Sequence, residues 1–241
     1  MKKIIKGFKS AIGFLTVVPV ASNSINETAR HMYLFPIVGA LIALIAAFVG
    51  YLAALIFPNS IAVAIALLAL LLLTGLHHLD GLLDFGDALM FRGSAENRIE
   101  VMHDKNTGAG GFGIGFFVLL LAYAALAEAE SIFSALVVAE ASAKFSMIIG
   151  AYLGRASHEG AGSAFVKAMG KNHRAFLLSF LIYCSILLPF AAGATVALIT
   201  TYATSVAVLY VSNKLLGGVS GDVFGAMNEL TRTLVLLVLV V

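Results

Sequence analysis

The chain is poor in charge and in cysteine. Only 12% of its 241 residues are Asp, Glu, Lys or Arg, about half the share usual in a water-soluble domain, near 25%. With 61% hydrophobic residues and a mean hydropathy of +1.01, the apolar surplus exceeds what one water-soluble core can hide. A bilayer is the solvent this implies. Cys184 is the single cysteine, which excludes an intrachain disulfide and a cysteine-based metal site. A net charge of +2 is too small to draw nucleic acid, so no such partner is expected.

Apolar runs are what the chain has in abundance. Runs of about the 20 residues a bilayer requires recur near 32–57, 61–76, 112–127, 132–153, 175–190, 194–211 and 223–241. They predict an all-α, polytopic membrane bundle of about seven transmembrane helices. It forms a single domain over 1–241, with polar loops at 77–111, 154–174 and 212–222. Lys2, Lys3, Lys6 and Lys9 precede a shorter apolar stretch ending near Val20-Ala21-Ser22, the outline of a signal peptide. Ile4, Ile5, Phe8 and Ile12 nevertheless fall at helical spacing opposite the lysines. This predicts a retained amphipathic helix lying in the interface against membrane lipids.

The few charges are one-sided. Connections near 58–60, 128–130 and 191–193 contain no Lys or Arg, whereas the alternate segments carry Arg30, Arg92, Arg98, Lys105, Arg155, Lys167, Lys171, Arg174 and Lys214. The positive-inside rule places the latter, and with them the polar loops, in the cytoplasm. Plasma membrane is the expected location.

The densest polar segment runs from Gly75 to Asp87. Asp80, Asp84 and Asp87 are spaced i, i+4, i+7, so a helix places all three on one face. Such a row repels itself unless protons or cations intervene, and a hard divalent ion with oxygen ligands, magnesium above all, would resolve it. The bland alternative is a solvated helix end with scattered acids. His77 falls near the Asp face of a regular helix and His78 points away.

A second cluster, Gly217 to Glu229, holds Asp222, Gly225 and Glu229 at helical spacing, with small residues permitting close approach. Carboxylates from two helices facing each other would suit a divalent–pyrophosphate site, giving Asp80, Asp84, Asp87 and Asp222 as the metal set. The loop from Arg92 to Gly111 offers cations, acids and glycine amides to an anion, and its glycines equally suit a flexible helix entry. Glu140 and Lys144 stand one turn apart inside an apolar run. They neutralise each other on the plain reading, although intramembrane charge is a functional hypothesis by default.

Taken in order, these segments resemble the cobalamin synthase family, the adenosylcobinamide-GDP ribazoletransferases. The matching pieces are Phe14-Leu15-Thr16 with Pro19, Phe35-Pro36-Ile37-Val38-Gly39, and Thr74-Gly75 through His78-Leu79-Asp80-Gly81-Leu82-Leu83-Asp84 with Asp87. They continue with Glu100-Val101-Met102-His103-Asp104 and Gly108, Gly160-Ala161-Gly162, and Gly217 through Asp222 with Gly225-Ala226. The chain departs from the pattern at Arg98, where an arginine is expected one residue earlier, and at Arg232, which stands at an acidic position.

The resemblance implies that α-ribazole, or its 5′-phosphate, attacks the cobinamide-side phosphate of adenosylcobinamide-GDP and that GMP leaves. Asp84 or Asp87 is expected to accept the hydroxyl proton, with His78 at the family's histidine position beside them. Arg98, Glu100, Asp104, Lys105, Lys144, Arg155 and Glu229 are the expected substrate contacts, and a homo-oligomer is allowed. Two rivals stand beside this reading. A CDP-alcohol phosphotransferase would need an Ala-Arg step after Asp80-Gly81 that is missing, and an ion-coupled transporter would place its charges near the midplane.

Overall fold

The computed structural model describes residues 2–20 and 24–241, so Ala21 and Ser22, where the signal-peptide outline ends, lie outside the described residues. The order of elements is α1 Lys2–Leu15, α2 Ile25–Arg30, α3 Phe35–Ala54, α4 Asn59–Leu73, α5 His77–Met90, α6 Ala95–Met102, α7 Ala109–Glu128, α8 Ile132–Leu153, α9 Ala161–Met169, α10 His173–Leu187, α11 Ala191–Leu215 and α12 Gly221–Val238. The all-helical reading holds, and each predicted run coincides with one of these helices. Among the described residues, five helices are long and apolar enough to cross a membrane, beginning at Met32, Ala109, Ile132, His173 and Gly193. A sixth is obtained if α4 and α5 count as one broken span, bent by 89°. α12 is 18 residues long but carries Asp222, Glu229 and Arg232, which costs it the uniform apolarity of the others.

The bundle is built around α8. Every residue from Ala135 to Ala151 is buried, because Ala, Ser and Gly recur through this stretch and let α3, α10, α11 and α12 close in on all sides. α12 is the second core helix, packed on α5, α7, α8 and α11. The outer helices show the opposite pattern. Leu44, Ile45, Phe48, Phe112, Phe116, Phe117, Leu177, Leu181, Ile199 and Tyr210 are all exposed. A belt of large apolar side chains facing outward is what lipid covers.

The short helices gather at one end. α1 has exposed Lys3, Lys6 and Lys9 beside exposed Ile4 and Ile5, with Ala11 and Leu15 buried, the pattern of an interfacial helix. Val17 N–H donates to Leu73 O at 2.9 Å, tying the exit of α1 to the end of α4. The connection from α3 to α4 and the connection from α7 to α8 are at the other end, where Asn59 Nδ2 donates to Ala127 O.

Candidate active site

The site begins at a break. After Leu73, Thr74 folds its hydroxyl back on Leu70 O and Leu71 O, and Gly75 (φ +64) and Leu76 (φ +58) both take left-handed backbone. Glycine does so freely, while Leu76 gives up about 1–2 kcal/mol. The two residues swing the chain through a right angle, so α5 runs across the end of the bundle rather than through it. Its buried face is Gly81, Leu82, Phe85, Gly86 and Ala88, and Asp80, Asp84 and Asp87 fall together on the other.

α12 meets α5 backbone to backbone. A Cβ on Gly81 would stand 2.9 Å from Asp222 Cα, and one on Gly225 would stand 2.8 Å from His78 O and 3.1 Å from Gly81 Cα. Neither position has room for a side chain, so the sequence's two glycines are what bring Asp222, about 140 residues distant in the chain, beside Asp80 and Asp84. Ser220 caps α12, accepting from Val223 N and donating to Asp222 Oδ2 at 3.2 Å. The acidic clusters therefore converge, as their placement on one membrane side requires.

The consequence is electrostatic. Partial burial, then the neighbouring charges of Asp80, Asp222 and Asp87, push the Asp84 carboxyl up from 3.8 to about 7. Among the described residues, Asp80, Asp84, Asp87 and Asp222 form no ion pair with any Lys or Arg, and no three acidic, His or Cys groups stand at metal-ligating distances. The donor chemistry suits a hard divalent cation, with four carboxylates whose repulsion is unrelieved; the ligand cage itself is not closed in this arrangement.

Asp87 has a second engagement that its spacing did not reveal. Its carboxylate accepts from Gly108 N at 2.7 Å and Gly111 N at 2.8 Å, clamping the start of α7 where the helix dipole favours an anion. The glycine amides expected to meet a ligand anion thus meet a side chain of the chain itself. Gly111 must be glycine for this, since a Cβ there would lie 2.6 Å from Asp87 Oδ2.

Other predicted contacts divide into two sets. Glu100, Asp104, Lys105 and Arg155 are exposed at the same end. Asp104 Oδ1 accepts from Asn106, and Arg155 Nε donates to Gly217 O at 2.8 Å. A parallel bridge between Ala156 and Val219 and contact of His103 with His158, rings 5.3 Å apart, join the three loops. Arg98 is turned inward onto Ala88 O, Leu89 O and Gly93 O, closing the end of α5 rather than facing outward.

Lys144 and Glu229 are not brought to this surface. Lys144 Nζ donates to Glu140 Oε2 at 3.0 Å and Asn228 Oδ1 at 2.6 Å, Asn228 Nδ2 to Glu229 Oε1, and Arg232 to both Glu140 and Glu229. All five side chains are at most 1% exposed. Two acids and two bases form a closed, neutral ring between α8 and α12, and Arg232 supplies its second cation. His78 lies between ring and carboxylates, 7% exposed, with Nδ1 unpartnered. Burial, followed by the charges of Lys144 and Arg232, holds its imidazole well below the ordinary value and so uncharged. His77 is exposed.

A family model described as cobalamin-5-phosphate synthase matches residues 7–240. The chain is similar to proteins named adenosylcobinamide-GDP ribazoletransferase from Methanocella arvoryzae, 34% identical with 95% of this chain and 93% of that one covered, and from Archaeoglobus fulgidus, 34% identical with 95% and 94% covered. Another of the same name, from Methanosarcina mazei, is 29% identical over 100% of this chain and 94% of its own. No solved structure matches. With the match running from α1 to the penultimate residue, the chain belongs to the cobalamin-5-phosphate synthase family.

Proposed function

We propose that the chain joins α-ribazole, or its 5′-phosphate, to adenosylcobinamide-GDP with release of GMP, completing the nucleotide loop of cobalamin. The observation that carries this reading is the crossing of α5 and α12 at Gly81 and Gly225, which sets Asp222 against the Asp80–Asp84 row. Transfer of a phosphoryl group needs in-line positioning and neutralised charge more than covalent help from the protein.

The ribazole hydroxyl oxygen forms a bond to the cobinamide-side phosphorus, the bond from that phosphorus to the oxygen of GMP breaks, and GMP departs with the electron pair. Asp84, with its proton affinity raised to about 7, is the base that takes the hydroxyl proton near neutral pH. Asp80 and Asp222, with an Asp87 oxygen lone pair not used by α7, would hold magnesium, which neutralises pyrophosphate charge when bound, and Asp84 is left free of the metal. Lys105 and Arg155, exposed beside the row, steady the phosphates. His78 shapes the floor under Asp80 as a neutral ring.

The basic residues of α1 and of the loops at 91–108 and 154–174 lie at this same end, which supports a cytoplasmic active face in the plasma membrane. The test is release of GMP by purified protein given both substrates, with magnesium and then with chelator. Release in both conditions would remove the metal, and none in either would remove the reaction.

A further inference from the structure

Next to the carboxylate row is a cavity of about 400 Å³, within the range of about 300–1,000 Å³ typical of small-molecule sites. Its wall is aromatic. The Phe14 and Phe165 rings stand 4.9 Å apart and tilted, and Phe165 meets Phe224 edge-on at 6.0 Å. Ala161 and Met147 complete the apolar lining, and the exposed His77 and the buried His78 contribute its polar groups. The cavity reaches Gly221, the residue before Asp222, and His77, three residues before Asp80.

The lining comes from α1, α5, α8, α9 and α12, and its rings belong to one aromatic cluster. Phe165 and Phe224 are buried in the core, where Phe165 also meets Phe35 at 5.8 Å. Phe14 stacks with Phe35 at 6.1 Å and stays half-buried at the edge of the cavity. A half-buried ring on an apolar floor holds a flat aromatic guest by stacking, and an exposed imidazole beside it can hydrogen-bond one ring nitrogen.

We propose that this chamber receives the aromatic base of α-ribazole, laid against the half-buried Phe14 ring beside His77, with the buried Phe165 and Phe224 rings behind it, so that the attached sugar lies toward the Asp222 crossing. The assignment rests on the proposed transfer reaction and adds to it the subsite for the attacking substrate. The corrinoid nucleotide, too large for 400 Å³, binds elsewhere on the carboxylate face.

Two substitutions test it from opposite directions. Ala161→Trp, at an exposed first turn of α9, fills the chamber, and Phe14→Ala, at a half-buried ring, removes a wall. Each is expected to raise KM for α-ribazole about tenfold or more, as loss of a stacking contact does, with KM for adenosylcobinamide-GDP unchanged. Equilibrium dialysis of labelled α-ribazole against wild type and Ala161→Trp reads the same site without turnover. If wild type releases GMP while both variants keep the wild-type KM for α-ribazole, or raise that of the corrinoid nucleotide instead, the chamber assignment is overturned and the reaction stands. If no GMP appears but dialysis shows α-ribazole bound by wild type and lost in Ala161→Trp, the chamber stands and the reaction falls. Absence of both overturns both.

Discussion

Two groups of charged residues share α12, and they are treated in opposite ways. At its start, Asp222 joins Asp80, Asp84 and Asp87 in a half-exposed row of one sign that pairs with no Lys or Arg among the described residues. Two turns further on, Asn228, Glu229 and Arg232 close a ring with Glu140 and Lys144 that is fully buried and sums to zero. A buried charge lacking its partner is strongly penalised, so the interior ring has to balance. A row at the water's edge can remain unbalanced, and in the proposed reaction a cation would bind there between the carboxylates and the substrate pyrophosphate. Charge that is satisfied holds helices together; charge left unsatisfied marks chemistry.

The sharpest way to break this comparison is to exchange the expected losses. Asp84→Asn and Asp222→Asn should each lower GMP release by about a hundredfold or more while leaving thermal unfolding in detergent unchanged or slightly raised, because a repelling charge has gone. Lys144→Met should do the reverse. It leaves Glu140 and Glu229 to share one buried cation, Arg232, and lowers stability by about 3–5 kcal/mol, and the Glu140→Gln/Lys144→Met pair should recover much of that in a double-mutant cycle. Turnover per folded molecule should stay near wild type for both, which a comparison of GMP release with folded fraction would decide.

A smaller effect concerns the two glycines that join the groups. Gly81→Ala drives a methyl into the Asp222 backbone, and shifting the helices by even about 1 Å is enough to cost about a hundredfold in rate. Its stability loss should be less than that of Lys144→Met, since no charge is stranded.

The smallest effect is on pH. In the folded chain without metal Asp84 keeps its proton up to about 7, and the unfolded chain releases it near 3.8. Between those values the folded state binds more protons, so stability falls as pH rises across the window. Thermal unfolding in chelator, followed from pH 4 to 8, should show this decline, and Asp84→Asn should flatten it.

Much of this was legible in the chain of letters, and the reasons are specific. Apolar runs located the helices because a bilayer demands length and uniformity, and i, i+4, i+7 spacing put three aspartates on one side of α5. Spacing within a helix says nothing about what stands opposite. Asp87 was therefore readable as part of the row but not as the clamp on Gly108 and Gly111, 21 and 24 residues away. Arg98 looked like a free cation until it was seen folded onto the carbonyls closing α5. Lys144 and Glu229 looked like ligands for a substrate because Asn228, 84 residues from Lys144 and chemically unremarked, is the link that makes them a ring. The aromatic chamber needed five helices to meet, and no single segment announces it.

The right-angled turn at Gly75 and Leu76 has a further meaning for a protein with so little water-facing surface. By laying α5 flat at the membrane's edge, it makes a ledge: one long side rests on apolar helices and the other stays wet. A bulky, water-soluble reactant can be worked on from the aqueous side without ever dissolving in lipid, and the membrane serves only as the bench to which the tool is bolted.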